Sequence, residues 1–493
     1  MILVLLLSIP FLGGLICWQI SYFNLIFARF ISLLSMIIVT YISSKLFLDL
    51  YNKNFLPNEW ESEFSIPWIT KLGIDFHLAA DNLSILMILT TSILSIISIL
   101  CSWKIIKKYR GLFLLNLLWI IGCSFGIFLS ADMFLFFIFW EMILFPIYFM
   151  IIKWGNYYSK KNVNFITNKF FIYSQLSSLL MLVSIIILVL LHYDQTCDLT
   201  FNYNLLLKTD MNCLQEYLIM LGFFIACLVK MPIVPFHGWL SQIHKNTPVS
   251  GSIDLIGIIV KTSVYVIIRF CIPFCPNVTI HCGNIIRYIG IFTIIYSSLM
   301  SFRQKNIKKF IAYISISHMG LILIAAYTRS MIVYHGLIIQ LISISFSTSA
   351  LFIIFEQIYD RIYTSNTKKM YGLWNNINYI PGFCLFFLMA NLGIPGTGNF
   401  IGEFLILMGI FQFYPIISFI CSLSLILTTI YSLFIMHRVF YGLNKNRRLL
   451  KTMSIKEFFI LILLVILLLF LGVYPQFILD TNHISLYNSQ YYI

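Results

Sequence analysis

Residues 226–269, ACLVKMPIVPFHGWLSQIHKNTPVSGSIDLIGIIVKTSVYVIIR, decide how this chain folds. They set two lysines, Lys230 and Lys261, inside segments otherwise apolar enough to cross a bilayer. A charge at that depth costs about 2.5–3.5 kcal/mol on insertion scales, so a chain that keeps two has paired them or uses them. Pro232 and Pro235 follow Lys230 closely. Proline lacks an N–H and clashes with the carbonyl four residues back. The spacing therefore predicts a helix that stops beside Lys230 and frees carbonyls next to its ammonium. Interrupted backbone is tolerated at membrane depth where it is buried in protein or lines a wet cavity. The pattern points to an ion path, and for a lysine the natural ion is the proton.

Working outward, the rest of the chain supports a membrane setting. Of 493 residues, 60% are hydrophobic and 10% charged, against roughly 25% charged in a soluble domain. Mean hydropathy is +0.93. Apolar runs long enough to cross about 30 Å of hydrocarbon recur from end to end. The fold class expected is all-α, a polytopic membrane protein of about fourteen transmembrane helices. The spans fall at 2–17, 24–48, 83–103, 112–130, 133–152, 170–191, 215–236, 252–272, 285–301, 309–327, 332–356, 379–411, 416–437 and 456–474. Residues 1–16 have no basic leader region and read as the first span.

The net charge of +14 is not a nucleic-acid signal. The basic residues sit in alternate short loops: Lys104, Lys107, Lys108 and Arg110; Lys153, Lys160, Lys161 and Lys169; Arg303, Lys305, Lys308 and Lys309; Arg361, Lys368 and Lys369; Arg438, Lys445, Arg447, Arg448, Lys451 and Lys456. The other loops are neutral or acidic, with Glu59, Glu61 and Glu63 in the longest and Asp480 in the tail. The basic side is then the inner side, and both termini lie outside. The eleven cysteines include no C-x-x-C pair. Cys271, Cys275 and Cys282 lie near His281 without metal-site spacing, so no zinc or iron–sulfur centre is expected. Most cysteines read as small apolar fillers.

A second interruption is written at Asn391-Leu-Gly-Ile-Pro-Gly-Thr-Gly-Asn399, followed by Phe400-Ile-Gly-Glu403. Three glycines and a proline in so short a run do not hold a regular helix. The first break is in the fourth member of spans four to eight, and the second in the fourth member of spans nine to thirteen. Interruptions at matching positions of two halves point to inverted repeats with a site at their interface. The organisation expected is 1–110, three N-terminal helices; 111–275, a first five-helix repeat; 284–440, a second; and 441–493, a last helix and tail.

Five ionisable residues stand within the spans. Glu141 lies in FFIFWEMILFP with no polar neighbour in sequence, and Lys230 is its plausible partner. At about 4 Å and an effective dielectric near 20, such a pair attracts by about 4 kcal/mol. It reads either as a static buried ion pair or as a switch. Lys261 follows Asp254 by seven residues, on one face of a regular helix, and stands too far from either end to snorkel. His318 has Ser315 one turn away and reads as a hydrogen-bonded core residue or a relay. Glu403 is an exit acid, a cap on the second half-helix, or both. Asp132 is placed at an interface, His237 and His244 as loop anchors or gate residues, and His335 and Glu356 as weaker candidates.

These stretches carry a resemblance. FFIFWEMILFPIYFMIIKWG, KFFIYSQLSSLLML, MLGFFIACLVKMPIVPFHGWL, PVSGSIDLIGIIVKTSVYVIIRF, IKKFIAYISISHMGLILIAAYT, LGIPGTGNFIGEFLIL and YPQFILDTNH resemble the antiporter-like subunits M of proton-pumping NADH:quinone oxidoreductase (complex I), chain 4 in mitochondria. The likeness covers nearly the whole chain and is closer to the bacterial form. It implies a proton-translocating membrane-arm subunit, with Glu141 and Lys230 as the family's glutamate–lysine pair, Lys261 as its central lysine, His318 as the next histidine and Glu403 as the glutamate of the second broken helix. It implies no redox centre in this chain. FMN and iron–sulfur clusters are expected in partner subunits, and the partners are other membrane-arm subunits, neighbouring antiporter-like subunits among them, and the lipid bilayer. The location implied is the bacterial inner membrane, or the mitochondrial one. A subunit of a multi-subunit cation/proton antiporter is the alternative. Three positions depart from the family pattern: Ser241 after Trp239-Leu240, Gln242 in place of an acid, and Ile344 where the family has a second channel histidine on span eleven. An isoleucine passes no proton, so water or Ser343, Ser345 and Ser347 would have to bridge that step.

Overall fold

The computed structural model describes residues 1–52, 60–105, 109–155, 160–374, 376–442 and 451–480. Glu59, Lys107, Lys108, Lys445, Arg447 and Arg448 of the loop assignment lie outside the described residues, as do the side chains of Lys104, Lys160 and Lys161. Among the described residues, thirteen helices are long and apolar enough to cross a membrane. Two shorter apolar helices, Ile380–Asn391 and Gly398–Phe413, are the halves of the interrupted twelfth span. The expected fourteen are therefore present. The chain divides into two compact units.

Among the described residues, the first unit comprises Met1–Met231 and Ile258–Asn284, with Asp480. It holds α1 (Ile2–Ile20), α2 (Leu25–Asn52), a hairpin of β1 (Ser62–Ile69) and β2 (Ile74–Ala80), α3 (Asn82–Ile105), α4 (Arg110–Leu129), α5 (Met133–Met142), α6 (Leu144–Trp154), α7 (Lys160–Thr196), the single turn α8 (Tyr203–Leu206) and α9 (Cys213–Lys230). The antiparallel hairpin is an addition to the expected all-helical plan. It falls in the long acidic loop, and His77 of β2 meets Glu63 of β1 at 2.5 Å. α5 and α6 make one span in two pieces, because Pro146 in the first turn of α6 cannot donate to the Met142 carbonyl. α5 starts on Asp132, whose carboxylate caps Phe134 N (2.9 Å) and Leu135 N (3.0 Å) and accepts from Asp75 N (3.2 Å). Asp132, just ahead of the span that opens at Met133, is 1% exposed, and burial pushes its carboxyl above the usual range.

The second unit comprises Pro232–Gly257 and Ile285–Leu479. In chain order, the helices from the first break onward are α10 (Leu240–Asn246), α11 (Val249–Asp254), α12 (Val260–Val266), α13 (Ile272–Phe274), α14 (Pro276–Arg303), α15 (Ile307–Ala326), α16 (Met331–Ile362), α17 (Ile380–Asn391), α18 (Gly398–Phe413), α19 (Pro415–Val439) and α20 (Ile455–Val473). α12 and α13 belong to the first unit. α16 is the axis of the second unit and packs on α15, α17, α18 and α20. Its closest neighbour is α18, whose Gly402 lies where a Cβ would collide with Gln340. Small residues at such crossings let helices approach closely in a membrane. α15 and α20 begin on side-chain caps, Asn306 and Ser454, the latter forming a capping box with Glu457.

Candidate functional site: charged stations at two broken helices

Lys230 is the last residue of α9, where the prolines predicted the helix to stop. It is 2% exposed. Its Nζ donates to the carbonyl of Trp140 at 2.9 Å and stands 3.3 Å from the centroid of the Trp140 ring. The carbonyl beside the ammonium thus comes from α5, not from the broken helix itself. A buried ammonium over an indole face gains about 2 kcal/mol, and the carbonyl supplies a charge-assisted hydrogen bond. Glu141 follows Trp140 directly and acts electrostatically on the lysine. The two nevertheless form no closed ion pair among the described residues, and Glu141 Oε1 has no hydrogen-bond partner there. The structure brings Glu141 and Lys230 together as neighbours with Trp140 as the intermediary. Trp140's part carries no signal in the sequence, because its contact is through a backbone oxygen and a ring face.

Lys261, on α12, is 1% exposed. Its Nζ donates to Thr90 Oγ1 of α3 at 3.2 Å. The Thr90 hydroxyl donates in turn to the Met87 carbonyl at 3.0 Å. Leu255–Ile259, between Asp254 and Lys261, is wound as a π-helix. Seven residues bring Asp254 and Lys261 to one face only at 3.6 residues per turn, and the π-wound segment between them breaks that alignment. Arg269 further along pairs with Asp81 at 3.2 Å.

The second unit assembles its own station. His318 on α15 and Glu403 on α18 meet, with Nδ1 3.4 Å from Oε1. Both are buried, at 4% and 5% exposure. Gln340 of α16, fully buried, donates from Nε2 to the same Oε1 at 2.9 Å. The other carboxylate oxygen faces the break: Gly393 has φ +71°, and a Cβ there would lie 2.8 Å from Oε2. Only glycine suits that left-handed, crowded position. Ser315, expected beside His318, bonds its own helix at the Ala312 carbonyl instead, and Gln340 was missed. An amide among apolar residues on a helix carries no sequence signal until its partner across the crossing is known.

The remaining candidates divide. Glu356 forms an ion pair with Lys308 at 2.7 Å, both of them buried. Lys308 is therefore not a loop residue of the basic run but the second residue of α15, and it also donates to the Thr247 carbonyl at 3.3 Å. His244 is fully buried, its ring 4.9 Å from that of Phe352. His237 packs its ring on Tyr296 and Tyr313. His335 is buried on α16. Of the serines near Ile344, Ser343, Ser345 and Ser347 all lie within bonding distance of α16 carbonyls, and Ser347 also reaches Asn391. Among the described residues no group of histidine, cysteine and acidic side chains gathers to hold a metal ion.

With this geometry in view, likeness to known proteins becomes informative. Residues 130–430, which carry all five predicted site residues, match the family described as NADH:quinone oxidoreductase/Mrp antiporter, TM. The chain is 47% identical over 99% of its length to NADH-quinone oxidoreductase subunit M of Escherichia coli K12, and covers 98% of that protein. It belongs to the subunit M family of NADH-quinone oxidoreductases. NADH-ubiquinone oxidoreductase chain 4 of Marchantia polymorpha is 31% identical over 98% of this chain and 96% of that one. Among solved structures, a chain of respiratory complex I from Thermus thermophilus superposes with a TM-score of 0.86 at 22% identity, each chain covered in full. The membrane-arm fold expected from the resemblance is the fold observed.

Proposed function

We propose that this chain translocates protons in the membrane arm of an NADH:quinone oxidoreductase, complex I, of a bacterial inner membrane. The observation that carries the reading is the His318–Glu403 contact. In a subunit M family member, two groups able to hold a proton touch at a broken helix in a buried setting. Electron transfer in partner subunits, which hold the FMN and iron–sulfur clusters, drives the movement. A shift of the Glu141 carboxylate toward or away from a neighbouring antiporter-like subunit adds or removes a counter-charge for Lys230. The Lys230 proton passes to Lys261 and on through His318 to Glu403 and the outer face. The direct contact of His318 with Glu403 lets that last step dispense with a side chain at Ile344.

The test uses inverted membrane vesicles holding the intact complex. Lys230→Ala and Glu141→Ala should each abolish NADH-driven proton uptake while NADH-to-ferricyanide electron transfer persists. Full pumping in both variants would refute the role. The family description also names the Mrp antiporter, which supports a second reading as a subunit of a cation/proton antiporter. Copurification with an NADH-oxidising arm separates the two.

A further inference from the structure

Within the second unit, α17 and α19 leave a half-open cleft of about 260 Å³ between them. Leu385, Leu388 and Met389 form the α17 wall, and Leu433 and Met436 the α19 wall. Each set recurs three or four residues apart and so lies on one face of its helix. Ser432 also lines the cleft, but its hydroxyl donates to the Thr429 carbonyl at 2.9 Å. A buried water needs two to four polar partners, which these walls do not offer. The space exceeds the roughly 150 Å³ that admits benzene in an apolar cavity. A methylene group is close to a water in size, so at ~30 Å³ apiece the cleft holds about eight of them. Met389 and Met436 are unbranched and adapt to a flexible occupant.

The ends of the cleft differ. Met389 and Leu433 lie deeper in their helices, whereas His437 and Tyr441 line the end where α19 stops. That end is on the basic side, which the loop charges make the inner one. Trp374 stacks on Tyr441 there, with ring centroids 5.4 Å apart and planes at 12°. Both rings are exposed, at 42% and 46%, as suits the level of lipid headgroups. The backbone keeps this end in register: Gly372 N donates to the Tyr441 carbonyl at 3.2 Å and Trp374 N to the Phe440 carbonyl at 3.1 Å. The same stretch carries the exposed Lys368 and Lys369, and α19 carries the exposed His437 and the half-buried Arg438. Between Tyr363 and Asn391, and between Pro415 and Gly442, the sequence has no aspartate or glutamate. Glu457 of α20, beside α17 through the Phe383–Phe458 contact, is engaged by Arg361 at 2.7 Å. The occupant that complements an apolar slot with a basic, aromatic-rimmed mouth has a hydrocarbon tail and an anionic head. Basic pockets between spans on the inner side are where anionic lipid headgroups are held.

We propose that the cleft between α17 and α19 binds one acyl chain of an anionic phospholipid of the inner leaflet, with the headgroup phosphate held by the basic groups at its mouth. The test uses the intact complex in nanodiscs of phosphatidylglycerol and phosphatidylcholine in equal parts. A cryo-EM map of the unmodified complex should show a chain in the cleft that ends in headgroup density beside His437. Two photoactivatable probes, a phosphatidylglycerol and a phosphatidylcholine with the same diazirine-bearing acyl chain, then separate a built site from general lipid contact. Peptides of α17 and α19 should be labelled several-fold more by the phosphatidylglycerol probe. Leu433→Trp, which obstructs the cleft from an exposed position, should abolish that excess. Lys369→Gln combined with Arg438→Gln should bring the two probes to parity. An empty cleft in the map, or one filled by a segment of a partner subunit, overturns the proposal without recourse to any variant. Equal labelling of the unmodified complex by the two probes, or an excess that Leu433→Trp leaves intact, also overturns it. An excess that survives the paired glutamine substitutions overturns the part assigned to the basic mouth.

Discussion

The two broken helices hold their charges in opposite conditions. At the first, the Lys230 ammonium rests on a neutral carbonyl and an indole face, and Oε1 of the neighbouring Glu141 has no hydrogen-bond partner among the described residues. At the second, the Glu403 carboxylate is clasped by His318 and Gln340. An ion held by neutral groups can change its electrostatic surroundings without breaking a strong pair, whereas removing one member of a closed buried pair is costly, typically 3–5 kcal/mol. The first station therefore suits a switch that responds to a nearby carboxylate it does not grip. The second suits a fixed transfer point whose geometry stays constant while protons pass.

That contrast can be attacked directly, beginning where the largest effect is expected. Glu403→Gln keeps the shape and the Gln340 contact region but removes the exchangeable proton, so pumping should fall by about 100-fold or more, measured as dye quenching in NADH-energised vesicles. Retained pumping would show that the second station is structural. Trp140→Leu should be the next largest: it strips the ring from Lys230 while leaving the carbonyl, a loss of about 2 kcal/mol or roughly thirtyfold in the population of the charged, seated lysine. Trp140→Phe should recover most of it, and equal activity of the two variants would deny the ring any part. Gln340→Met should be mildest, since His318 still holds Glu403. A deficit of about tenfold in pumping is expected, the low end of what one hydrogen bond to a charged group contributes. A complete block would mean that Gln340 itself is on the path.

Much of this was legible in the residues. Prolines after Lys230 and glycines around Pro395 dictated where helices stop, and hydropathy alone fixed the number of spans, because backbone satisfaction in lipid leaves few alternatives. Ionisable residues at membrane depth announced themselves by their cost. What stayed hidden depends on contacts across helices. The Trp140 carbonyl is a backbone atom present at every position, Gln340 and Thr90 look like ordinary polar guests, and Lys308 sat in a basic run that reads as loop. The β1–β2 hairpin escaped notice because its exposed strand lacks clean alternation, with a burial pattern dominated by exposed positions. The π-wound turn after Asp254 is set by packing, which no periodicity argument contains.

The central claim is that buried acid and base groups at these breaks carry protons during turnover. Redox-triggered infrared difference spectroscopy of the intact complex observes this directly. The account predicts a carboxyl band that changes when NADH is oxidised by quinone and that is missing from the Glu403→Gln complex. A carboxyl region identical in the two complexes, while the unmodified one pumps at full rate, would contradict it.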